Sequence, residues 1–239
     1  MDKSSQHAVK ESYSGRGEDY DAIRLEQPRG LLLSEFDIAL VGRMASHISR
    51  DGSVLEVGAG TGRFTLPMLD TGFRIIATDI NESLLNSLRD RTAEMSLHDR
   101  CEAKIEDIFS LTFSDDQFDF VYSIHVIPRF SCLEDQGQAI QEIARVIKPG
   151  GLLLFNYSNR SSLLGALVGR FAPRFKEMEQ VLSESGFTVV SRRGKWFLSR
   201  GVLNRLPLVL GRLLAFVERP LTHVLPSRAW DVFVLARKN

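Results

Sequence analysis

The chain has 239 residues, 44% hydrophobic and 25% charged, with 30 Lys+Arg against 30 Asp+Glu. That is the size of one α/β domain with a cap, and an ordinary composition for a soluble globular protein with a full core. Two cysteines, Cys101 and Cys132, exclude a disulfide framework or a cysteine metal site, and the polar N-terminus lacks the apolar core of a signal peptide.

In chain order, a polar stretch with Tyr13 and Tyr20 comes first, read as an arm with a short helix near 20–24. Ser34 is then the expected N-cap of a helix through Ile48, with Phe36, Ala39, Leu40, Met44 and Ile48 at helical spacing. A first strand is expected at 53–57. Helices at 63–70, 83–95, 133–147 and 176–185 then alternate with strands at 74–78, 101–104, 118–123, 152–157 and 188–193. Gly186 has the place of a helix-ending glycine, and 230–236 is the last strand.

The segment Val54-Leu-Glu-Val-Gly-Ala-Gly-Thr-Gly62 carries the most information. An apolar run enters three alternating glycines, which turn sharply and admit close approach of a ligand because no Cβ intervenes. A dinucleotide fingerprint would need glycine at 63, where the chain has Arg63; a P-loop would need a lysine, which is absent. Glu56, two residues before Gly58, would repel a pyrophosphate but suits a cation, at ~4 kcal/mol for unit charges ~4 Å apart in an effective dielectric near 20. S-adenosylmethionine has no phosphate and carries both an ammonium and a sulfonium. The loop therefore favours it over NAD or ATP. Asp79 closes the next apolar segment, where a carboxylate can accept from both ribose hydroxyls. Asp107 follows the third.

On these residues the chain resembles the class I S-adenosylmethionine-dependent methyltransferases, in the broad group with small-molecule and quinone methyltransferases. Residues 54–62 match the family's first motif and Ala77-Thr-Asp-Ile80 its acidic loop. Asp116-Gln-Phe-Asp-Phe-Val-Tyr-Ser123 resembles the fourth strand, and Arg145-Val-Ile-Lys-Pro-Gly-Gly151 the turn into the fifth. The likeness covers about residues 50–160 and speaks to fold and cofactor, not to the acceptor.

It implies a Rossmann-like α/β fold: seven strands, mostly parallel, an antiparallel last strand, helices on both faces. The expected organisation is an arm and cap at 1–33, a core at 34–194, a helical insertion at 195–229 and the final strand at 230–239. It also implies roles. Glu56 anchors the methionine ammonium region through the loop, while Gly58, Ala59 and Gly60 close on the cofactor. Asp79 binds the ribose and Ile80 lies against adenine. Asp107 meets the adenine amino group, Ile108 packs on the ring, and Ser123 borders the methionine part.

One departure from the plainest members is the long 195–229 connection, where Val202, Leu203, Leu206, Leu210, Leu213, Leu214 and Val217 suggest amphipathic helices broken at Pro207 and Pro220. With 13–33 and 160–173 it is read as an acceptor-binding cap. Residues 160–239 hold 14 Lys/Arg against 5 Asp/Glu, read either as basic side chains solvating exposed helices or as a cap suited to an acidic acceptor or an anionic membrane surface. The most apolar late stretch, Val202 to Val217, is short and holds Arg205, Pro207 and Arg212, so it is not expected to span a bilayer.

Methyl transfer needs an acceptor held in line with the donor, and a base only where the acceptor must lose a proton. His125, after the fourth strand, is the candidate base, and Arg129 could orient an acidic acceptor. Tyr13, Tyr20 and Tyr157 are weaker candidates. No Asn/Asp-Pro-Pro-Tyr follows the fourth strand and no Pro-Cys pair exists, which argues against nucleic acid. The expectation is a cytoplasmic enzyme methylating a small organic or lipid-like acceptor. The alternatives are a non-catalytic S-adenosylmethionine-binding scaffold and a peripheral membrane enzyme.

Overall fold

In a computed structural model that describes residues 28–46, 48–162, 171–195 and 224–239, seven strands form one sheet. They are β1 (Val54–Val57), β2 (Ile75–Asp79), β3 (Cys101–Ile105), β4 (Phe118–Ser123), β5 (Ile147–Ser158), β6 (Phe187–Lys195) and β7 (Asp231–Lys238). Their order is β3-β2-β1-β4-β5-β7-β6. The pairs among β1 to β5 are parallel, and β7 runs antiparallel between β5 and β6. This is the expected fold. Most of the expected cap, at 1–27, 163–170 and 196–223, lies outside the described residues, as do Tyr13 and Tyr20.

Period-two alternation decides which side chains meet which helices. On one face Leu55, Val121, Leu153 and Val232 pack with α4 (Leu133–Val146) and α5 (Phe175–Glu184). On the other, Val54, Ile75, Phe120 and Phe233 pack with α1 (Pro28–Met44), α2 (Thr65–Asp70) and α3 (Glu82–Glu94). Both faces are covered, so strands read as continuous apolar runs rather than alternating ones. Helix α4 shows the logic: Ile140, Ile143 and Ala144 share one buried stripe, and truncating the fully buried Ile143 to alanine would cost about 2–5 kcal/mol.

Local chemistry sets the ends. Asn81 caps α3, its side chain accepting from the Ser83 N–H, and Leu85 and Leu88 then pack against the sheet. Cys132 caps α4 through its sulfur, at 3.4 Å from the Asp135 nitrogen. Gly186 ends the α5 turn at φ +78, as expected. Two expectations are corrected. Helix α1 begins at Pro28, whose missing N–H is harmless in a first turn, so Ser34 lies inside it and is not its cap. Strand β5 starts at Ile147 and absorbs Lys148 to Gly151, with a register shift against β4 between Phe118 and Phe120. No helix among the described residues is long and apolar enough to cross a membrane.

Candidate active site

Strand β1 delivers the chain into its three glycines, all at positive φ: Gly58 at +83, Gly60 at +56 and Gly62 at +90. The turn is fastened from the neighbouring strand, because the Gly58 and Ala59 N–H groups both donate to the Thr78 carbonyl, at 2.7 and 2.8 Å. A Cβ on Gly58 would come within 2.1 Å of Val126 Cγ2. On Gly60 it would meet nothing within 4 Å. Gly58 is thus packed against protein, whereas Gly60 faces open space.

That space is a cleft of about 1060 Å³, counting the solvent at its mouth, along the C-terminal edge of the sheet where open α/β folds bind ligands. Of the residues singled out in the sequence, Gly58, Ala59, Gly60, Asp79 and Ile80 line it. Asp107, Ile108, His125 and Arg129 line it too. Sheet order explains the assembly, since the ends of β3, β2, β1 and β4 are neighbours. Among the described residues no His/Cys/Asp/Glu group could hold a metal ion.

Asp79 ends β2 and is part-buried. Its Oδ2 accepts from the Gly60 N–H and its Oδ1 from the Asn81 N–H, each at 2.9 Å. Burial raises its pKa, and these backbone donors oppose the shift. A carboxylate has about four acceptor positions, so acceptor capacity remains for a ribose diol. Asp107 spends Oδ1 on the Phe109 N–H at 3.0 Å, which shapes the loop after β3. Ile80, Leu84, Ile108 and Phe109 supply apolar surface suited to a base. An open glycine, a diol-compatible acid and an apolar wall together fit the nucleoside of S-adenosylmethionine.

Two expected contacts are not made. Glu56 shares the sheet face of Val54, not the cleft, because side chains alternate along β1. It is 2% exposed, and its Oε2 accepts from Thr65 Oγ1 at 2.5 Å and Tyr122 Oη at 2.7 Å. Burial pushes its pKa up to about 7, against the pull of those two hydrogen bonds. The carboxylate braces the loop from beneath and does not face a ligand's ammonium. Ser123 is fully buried, with Oγ donating to the Val57 carbonyl at 3.0 Å, so it ties β4 to β1 instead of bordering the cleft.

His125 lies at the cleft with φ +65, a conformation costing a non-glycine residue about 1–3 kcal/mol. Both ring nitrogens are engaged. Nε2 is 3.0 Å from Asp37 Oδ2 and Nδ1 is 3.2 Å from Asn156 Nδ2, while Asn156 Oδ1 accepts the His125 N–H at 2.6 Å. That pattern assigns the proton to Nε2 and leaves neither nitrogen available to take one from a substrate. The arrangement is that of a positioned residue and speaks against His125 as base. Arg129 donates from Nε to the His125 carbonyl at 3.2 Å. Tyr157 is core, 1% exposed and stacked on Phe155, and burial raises its pKa far from any use as a base.

Sequence reasoning passed over several residues. Asp37 on α1 is fully buried and gathers Lys195, Arg63 at 2.8 Å and His125 at 3.0 Å. Its partners lie 26, 88 and 158 positions away, so no local pattern announces them. Arg63, Phe64, Phe109 and Phe130 also line the cleft, with the two latter rings 4.8 Å apart. Phe109 was within reach, since it follows Asp107 and Ile108 directly.

Residues 55–155 match the model of a methyltransferase domain. Over 136 residues the chain is 31% identical to a phosphatidylethanolamine N-methyltransferase of Cereibacter sphaeroides, covering 56% of this chain and 65% of that protein. Over 174 residues it is 29% identical to the ubiquinone/menaquinone biosynthesis C-methyltransferase UbiE of Azotobacter vinelandii, covering 70% and 66%. The chain thus spans just under two thirds of the length of these curated relatives. In fold it is similar to the magnesium protoporphyrin IX methyltransferase ChlM of Synechocystis PCC 6803 crystallised with S-adenosylmethionine, at a TM-score of 0.70 and 12% identity over 98% of this chain and 97% of that one. The domain match, the shared fold and a glycine turn open towards the cleft agree: residues 55–155 are a methyltransferase domain, and the chain is similar to the class I S-adenosylmethionine-dependent methyltransferases.

Proposed function

We propose that this chain binds S-adenosylmethionine in the cleft and methylates a small organic or lipid-like acceptor. The observation that carries this reading is the Gly60 turn, open on its ligand side and latched to Asp79. When bound, the cofactor supplies a methyl on a sulfonium that leaves as a neutral sulfide. The protein's part is positioning and water exclusion, which can lower such a barrier by about 7–11 kcal/mol. Asp79 holds the sugar end, Ile80, Leu84 and Ile108 shelter the base, and Phe64, Val126 and Phe130 make an apolar wall nearer β4.

A lipid-like acceptor is supported by that wall and by the names of two relatives, one a phospholipid and the other a quinone methyltransferase. No nucleic acid is proposed as acceptor. Nothing in the cleft favours the alternative of a non-catalytic scaffold. A direct test incubates the chain with methyl-labelled S-adenosylmethionine and three acceptor chemistries: an aminophospholipid, a prenylated phenol and a small carboxylic acid. Label should enter one of the first two. Tight cofactor binding with no transfer to any of them would argue against the lipid-like reading.

A further inference from the structure

The cleft is unevenly charged along its length. Asp107 and Asp79 stand at the ends of β3 and β2, whereas Arg63 and Arg129 border it beside β1 and β4. A ligand with a sugar at one end and an amino acid at the other matches that polarity.

Arg63 is held in place. It follows Gly62 at the close of the glycine turn, and two of its three nitrogens are fixed by α1. Nε donates to Ser34 Oγ and Nη2 to Asp37 Oδ2, each at 2.8 Å. The guanidinium carbon lies 4.7 Å from the centre of the Phe64 ring. The third nitrogen, Nη1, is buried without a hydrogen-bond partner, in a side chain only 13% exposed. A buried guanidinium N–H left unpaired is disfavoured, and the partner it matches best is an anionic oxygen. Glu56 is sealed beneath the loop by Thr65 and Tyr122, so the acid expected to read the ligand's ammonium does not face it. Arg63 thus brings to this wall a buried cationic donor without a hydrogen-bond partner.

We propose that Arg63 reads the amino-acid end of the cofactor, donating from Nη1 to the methionine carboxylate, with Ser34 and Asp37 of α1 as its positioning residues. This rests on the reading of the cleft as an S-adenosylmethionine site. It assigns specificity at that end to a carboxylate–guanidinium pair and makes α1 a structural part of cofactor selection.

Calorimetric titration of the full chain with S-adenosylhomocysteine and with 5′-methylthioadenosine tests it. The second ligand keeps the nucleoside and the sulfur but has no amino acid. Wild type should bind the first more tightly. Arg63→Met should lose about 10- to 100-fold in affinity for S-adenosylhomocysteine, the effect of one charge-assisted hydrogen bond, with methylthioadenosine nearly unaffected. Arg63→Lys keeps a charge for Asp37 but lacks the second amino group, so it should show the same selective loss where Arg63→Met does not fold. Equal losses for both ligands would make Arg63 a mere support of the cleft and overturn the proposal. So would unchanged affinity for S-adenosylhomocysteine, which would leave Arg63 to an anionic acceptor. Wild type binding neither nucleoside would instead overturn the cofactor reading beneath it.

Discussion

The Asp79 carboxylate accepts the Gly60 N–H at 2.9 Å, so the acid that ends β2 also holds the ligand-facing turn after β1 in shape. On the proposed reading one residue has two tasks, bracing the turn and offering its remaining acceptor positions to a sugar. Asp79→Ala removes both and should weaken S-adenosylhomocysteine binding at least 100-fold, or about 3 kcal/mol. Asp79→Asn keeps one oxygen acceptor and should fall between. Isothermal calorimetry reads both, and wild-type affinity in Asp79→Ala would remove Asp79 from the site.

Gly58 and Gly60 differ in what surrounds them, and their alanine variants should differ accordingly. At Gly58 a methyl would meet Val126 Cγ2 at 2.1 Å, with φ at +83, so Gly58→Ala should lower stability and binding together. At Gly60 the methyl enters open space, and the strain of φ +56 costs only about 1–2 kcal/mol. Gly60→Ala should remain folded by circular dichroism while losing cofactor affinity. Retained affinity there would mean the ligand does not pass close to the turn.

How much of this was readable beforehand depends on the range of the interaction. The glycine turn, Asp79 at a strand end and Gly186 after a helix are local patterns, and each appears where its chemistry demands. Glu56 was visible but its direction was misread, although the alternation Val54, Glu56 already placed it on the α1–α3 face. Ser34 has the composition of a cap, yet the helix starts six residues earlier and its hydroxyl is taken up by Arg63. Asp37 and Asn156 gave no warning, because their roles arise when β4, β5, β6 and α1 converge. His125 was singled out by position, but only its neighbours reveal that both nitrogens are engaged.

Glu56 makes stability depend on pH in an identifiable window. Its folded-state pKa is raised from 4.5 to about 7 by burial. The unfolded chain therefore loses this proton first as pH rises. The stabilising contribution is complete below about 4.5 and is lost as pH rises through about 7. Thr65 and Tyr122 both donate to the same oxygen, and Glu56→Gln can present an amide oxygen to both. The unfolding free energy from urea titration should thus fall for wild type relative to Glu56→Gln between pH 5 and 8, by on the order of 1–3 kcal/mol. A difference that does not change with pH would show that the buried carboxyl titrates normally.

Asp37 is the counter-charge on which the wall of the cleft depends. Its two oxygens receive Lys195 on one side and Arg63 and His125 on the other, tying α1 to the end of β6, the glycine turn and the loop after β4. Removing one member of a buried ion pair strands the other, at a typical cost of about 3–5 kcal/mol. Asp37→Ala should lower the unfolding free energy from urea titration by that amount, and the midpoint with it, because Arg63 and Lys195 are then buried without it. Asp37→Asn keeps one acceptor and should recover part of the loss. If Asp37→Ala unfolds at the wild-type midpoint, the cluster is not holding α1 against the sheet. The pinning of His125, and with it the case against a general base there, would then lose its foundation.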